Sequence, residues 1–72
     1  MKEKKMIHVD KLNRRKFVIE EAGNDLGYYL YVFDIDTGNN TADYLQDTIE
    51  LVLEDAKEYY GISNIDWLEV WE

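Results

Sequence analysis

Few side chains in this chain could carry covalent chemistry. It has one histidine, His8, one serine, Ser63, and no cysteine. Nucleophilic catalysis needs a nucleophile, a base within hydrogen-bonding reach and a third group that orients the base. These residues do not supply such a set, and no thiolate exists to attack a substrate or hold a metal. Asp34-Ile35-Asp36-Thr37-Gly38 invites comparison with a calcium loop. The spacing fails: Gly38 occupies the third ligand position, Asn39 the turn-glycine position and Leu45 the closing-glutamate position. A turn leading into a helix cap accounts for those residues instead. No catalytic, cofactor-binding or metal-binding residue is expected, and the chain reads as a non-enzyme.

What remains is the noncovalent chemistry of charge and aromatic surface. The net charge is −8, and it is unevenly spread. Seven of the eight bases fall in the first sixteen positions, whereas residues 17–72 carry 14 acids against Lys57 alone. An anionic body favours a cationic partner over one that carries phosphate. Arg14-Arg15-Lys16 could touch phosphate, but the rest of so acidic a chain repels a nucleic-acid backbone. A basic protein is the expected partner, and nucleic acid is not.

Two surfaces can be drawn from residue spacing. On a helix over 42–60, Asp43, Asp47, Glu50, Glu54 and Glu58 fall within about 80° at 100° per residue. They would form an acidic stripe able to meet Lys and Arg on a partner. Tyr44 and Leu51, seven apart on its flank, would supply desolvated anchors. The second surface is a sheet face. If Leu30, Val32, Leu68 and Val70 face the helix, alternation turns Tyr29, Tyr31, Phe33, Trp67 and Trp71 the other way. Each ring can bury on the order of 150–250 Å². Such a face calls for cover by the N-terminal segment, a second copy in a homodimer, or another partner.

The elements that must position these residues follow from pattern. Residues 1–5 read as frayed, and 6–12 as a short edge strand guarded by Lys4, Lys5 and Lys11. Lys16 to Ala22 and Tyr28 to Ile35 are strands rich in β-branched and aromatic residues. Gly23-Asn24-Asp25-Leu26-Gly27 turns between them. Asn40 or Thr41 would cap the helix, which runs to about Tyr60. Gly61 closes it, with Ile62 as apolar companion. Ile65 to Trp71 is a last strand. The expected fold is α+β in one small domain, 1–72. A single amphipathic helix packs on a three- to four-stranded, mostly antiparallel sheet in β-β-α-β order, with a possible extra N-terminal strand.

Absence of cysteine suits a reducing compartment. No apolar run approaches the roughly 20 residues that span a bilayer. Only Met6 and Ile7 follow the N-terminal lysines before His8, so no signal peptide is read. A cytoplasmic location, with no membrane partner, is expected.

The hairpin of Phe17–Glu21 and Tyr28–Asp34, followed by Asp47-Thr48-Ile49-Glu50 leading to Ala56, resembles the HicB family of antitoxins. Asp36-Thr37-Gly38-Asn39 stands where that family has a Pro-containing, Gly-Cys segment. The resemblance implies a small acidic protein that neutralises a basic RNA-cleaving toxin. With the charge pattern, it makes a neutralising or regulating module of the antitoxin, immunity or inhibitor kind the leading expectation. The alternative is a homo-oligomeric structural or accessory protein, joined through the aromatic face or an edge strand.

Overall fold

A computed structural model describes residues 4–23 and 26–71. Asn24 and Asp25 of the first predicted turn lie outside the described residues, as do residues 1–3 and Glu72. The α+β expectation holds. Strands β1 (Lys4–Asp10), β2 (Arg15–Ala22), β3 (Gly27–Asp34) and β4 (Asn40–Gln46) are followed by helix α1 (Ile49–Tyr60). A 3-10 turn (Asn64–Asp66) then leads to β5 (Leu68–Trp71). The five strands form one antiparallel sheet in the order β4-β3-β2-β1-β5. The first four make a meander. The chain then crosses one face as α1 and returns at the far edge.

Local chemistry sets the turns. Asp10 accepts from the Asn13 N–H at 3.2 Å and from its side-chain amide at 2.9 Å, which folds the β1–β2 hairpin and leaves Arg14 left-handed at φ 58°. At the β3–β4 hairpin, the Asp34 carboxylate accepts from the N–H groups of Asp36 (2.8 Å) and Thr37 (3.1 Å), and Gly38 takes φ 76°. This is an Asx turn. It commits the Asp34 oxygen that a calcium loop would have offered to a cation.

The helix is shorter than predicted. Residues 42–48 are not its first two turns: 40–46 are strand β4, and the cap is Thr48, not Asn40 or Thr41. The Thr48 hydroxyl accepts from the Leu51 N–H at 3.3 Å. Ala42, Leu45, Ile49 and Val52 do fit helical spacing, but Ala42, Tyr44 and Gln46 also fit alternation. Pairing decides between the two. Without β4, the outer edge of β3 would present its N–H and C=O groups unpaired beside the core. At the other end Gly61 adopts φ 71°, with its N–H directed to the carbonyls of Ala56 and Lys57, and Ile62 follows, as predicted.

The N-terminal strand is longer and more central than predicted. Lys4 and Lys5 belong to β1 rather than to a frayed segment, and β1 lies inside the sheet between β2 and β5. Their charges meet Glu69 at 2.9 Å and Glu20 at 3.6 Å, so the lysines do not prevent pairing there.

The core lies between sheet and helix. Phe17, Ile19, Leu30 and Val32 from the central strands meet Val52 and Ala56 from α1. Ile62 and Trp67 close the β1 side, where the Trp67 ring stands 5.9 Å from that of His8. The His8 ring is thus a structural neighbour of Phe17 and Trp67, with Nδ1 3.1 Å from the Asp66 carbonyl oxygen.

Candidate interaction surface

With one face under α1, alternation assigns the other. Cross-strand partners in an antiparallel sheet point to the same side. The register therefore aligns Asp43, Tyr31, Val18, Ile7 and Leu68 in one row across all five strands. A second row holds Leu45, Tyr29, Glu20, Lys5 and Val70. A third holds Phe33, Lys16 and Val9, next to a register shift at Val32/Phe33. Nine of these thirteen side chains are aliphatic or aromatic. None of the nine belongs to the core cluster or to the side chains packed against it. Leu68, Leu45 and Val9 are 66%, 51% and 46% exposed, and the other six are half-buried by one another.

The rings are organised along β3. Tyr29 stacks on Tyr31 with centroids 5.2 Å apart, and Tyr31 tilts against Phe33 at 6.1 Å. Partial burial, and then the neighbouring Glu20 carboxylate, raise the Tyr31 hydroxyl above the ordinary tyrosine value. It stays a neutral hydrogen-bonding group on an apolar face. Four charges lie among the nine: Lys5 and Lys16 against Glu20 and Asp43. In a chain at −8, the described charges on this face balance.

The predicted aromatic set divides. Tyr29, Tyr31 and Phe33 lie on the helix-free face as expected. Trp67 does not: it is buried on the helix side at 9% exposure. Trp71 pairs with Lys4, two residues from core Met6, and so also lies on the helix side, where it is 61% exposed. Leu68 and Val70 take the helix-free positions instead. Burial of the large Trp67 ring in the core sets the parity of the residues that follow it, which Leu68-Glu69-Val70 alone does not reveal.

The predicted acidic stripe also divides. Glu50, Glu54 and Glu58 line the exposed outer side of α1, with Leu51 beside them at 42% exposure. Asp47 lies in the bend before Thr48, and Asp43 points to the opposite side of the molecule from β4. Tyr44 is no anchor on the outer helix surface. It faces the core from β4, shares a 2.8 Å hydrogen bond with the Tyr60 hydroxyl and stacks on Tyr59 at 5.7 Å. Burial and that bond push Tyr60 up to about 12. The Asp55 carboxylate accepts from the Gln46 amide at 2.7 Å, tying α1 to β4.

The basic triplet is dispersed as well. Arg14 pairs with Asp36 at 2.6 Å, and this hydrogen-bonded pair holds the Asp36 carboxyl below the ordinary aspartate value. Arg15 lies over the Phe17 and Tyr60 rings, 5.5 and 5.2 Å from their centroids, and reaches Asp10 at 3.4 Å. Lys16 alone turns to the helix-free face, exposed and without an ion pair among the described residues. Among the described residues, no cluster of three or more His, Cys, Asp or Glu side chains is placed to hold a metal. No helix there is long and apolar enough to cross a membrane. No protein-family model matches the chain, and no curated protein or solved structure matches it.

Proposed function

We propose that this protein works by association rather than catalysis, as a small interaction module whose contact surface is the helix-free face of its sheet. One observation carries this reading: nine apolar side chains, four of them (Tyr31, Val18, Ile7 and Leu68) in one continuous row, spread across five strands on a side that no other element of the described residues covers. Contiguous apolar patches of several hundred Å² on small proteins mark contact sites. The neutral charge balance there lowers the desolvation cost of covering it. A cytoplasmic setting suits the absence of cysteine. The test is chemical crosslinking in native lysate with Val18→Lys or Tyr31→Lys, each verified as folded by circular dichroism. Loss of the wild-type complexes supports the reading; an unchanged crosslinking pattern refutes it.

A second reading keeps the outer helix surface. Glu50, Glu54 and Glu58 recur at four-residue spacing on one exposed side, a costly run of like charge for stability alone. They and Leu51 suit occlusion of a basic protein, the antitoxin-like role that the HicB resemblance implies. Reversing all three to lysine should abolish salt-sensitive capture of such a partner, and capture that survives reversal removes this reading.

A further inference from the structure

We infer that the occupant of the helix-free face is a second copy of this chain, packed sheet to sheet about a twofold axis through Val18. This deepens the preceding reading and rests on it. β2 is the central strand, and on the helix-free side it presents Lys16, Val18 and Glu20. At about 3.4 Å per residue, the lysine and the glutamate stand equally far from Val18, about 6.8 Å to either side. A twofold axis crossing β2 there lays Val18 on its own copy, Lys16 against Glu20 of the copy, and Glu20 against Lys16 of the copy. The motif is complementary to itself, as a twofold interface requires.

The apolar members of the Val18 row agree with that axis. On β3 it places Tyr31 against its counterpart and Tyr29 against Phe33 of the copy, continuing the ring contacts already present within one chain. On β1 and β5, Ile7 and Leu68 meet their counterparts. On the edge strand β4 the same axis brings Asp43 opposite its own counterpart, a like-charge contact at the rim, where water screens it. Lys16, the basic-triplet member left without an ion pair among the described residues, gains one.

Size and charge favour a copy over other occupants. Five strands at about 4.8 Å and three rows at about 6.8 Å make a face of roughly 24 by 20 Å. Two such faces bury on the order of 1,000 Å², the lower end for a specific interface, which suits a reversible dimer. Sheets pack face to face at about 10 Å with strands nearly aligned. Among the described residues this face carries two acids and two bases, so a basic protein finds no excess of anions there. A like face meets balanced charge, and the glutamates of α1 point outward on both sides of the four-layer assembly.

Sedimentation equilibrium of the purified full chain tests this. The expected mass rises with concentration from 8.6 kDa towards twice that value. Lys16→Glu and Glu20→Lys should each weaken association at least tenfold, because each sets like charges together. An equal mixture of the two variants should recover association, since each then supplies what the other lacks. A monomer at all concentrations overturns the second-copy assignment, while lysate complexes lost with Val18→Lys would still sustain the contact surface. A dimer indifferent to both charge changes, or not recovered by mixing, overturns the Val18 axis.

Discussion

Gly27→Ala should severely weaken this fold. Gly27 begins β3 with φ 112°, and a Cβ there would collide with the carbonyl oxygen of Gln46. Two costs add. Crowding of a side chain by its own backbone at positive φ costs about 1–2 kcal/mol. Forcing β3 and β4 apart to admit the methyl group costs about 1–3 kcal/mol, as overpacking does elsewhere. The sum, about 2–5 kcal/mol, is a large share of the roughly 4–11 kcal/mol expected for a domain this size. Gly23→Ala is the control: its Cβ meets nothing within 4 Å and its φ is not positive, so a change within about 0.5 kcal/mol is expected. Urea unfolding followed by circular dichroism reads both. At a slope of about 1 kcal/mol per molar, the Gly27→Ala midpoint should fall by about 2 M or more. The Gln46 carbonyl lies at that spot only because 40–46 is a strand beside β3. Equal midpoints for the two alanine variants would refute that placement.

Other consequences are quicker to check. Thr48→Ala should cost about 1 kcal/mol in the same assay through loss of the helix cap, while Thr41→Ala, in β4, should not reproduce a cap loss. The Tyr60 hydroxyl is raised from 10.0 to about 12 in the folded chain. Stability linked to it is therefore complete below pH 10 and declines as pH rises from there through about 12. Alkaline unfolding should show this loss, and Tyr60→Phe should flatten it. Tyr44→Phe should cost about 0.5–1.5 kcal/mol for the lost hydrogen bond. Because the chain is strongly anionic, its melting temperature should rise between low and moderate salt, and reversing Glu54 to lysine should reduce that dependence.

Much of the fold was legible in the residues, and the exceptions have physical causes. β2 and β3 announce themselves by runs such as Phe17-Val18-Ile19, and Gly61-Ile62 marks the end of the helix without ambiguity. Residues 40–46 satisfied two periods at once. Only the need of the β3 edge for a partner decided between them, and a nonlocal need cannot be read from a local window. β1 looked like a guarded edge because its lysines were seen without Glu20 and Glu69, which the register brings alongside. The same limit governs the surface. Tyr29, Tyr31 and Phe33 followed from alternation on an obvious strand, whereas the parity of β5 depended on where the Trp67 ring could fit. The Lys16-Val18-Glu20 motif was present throughout but gained meaning only once β2 was known to be central.

The most direct test is a dilution series of the labelled full chain by NMR. Signals of Ile7, Val18 and Tyr31 should shift together as concentration falls, and those of Glu50, Leu51 and Glu54 should stay fixed. Shifts confined to the outer side of α1, or none anywhere on the helix-free face across the whole concentration range, would contradict self-association through that face.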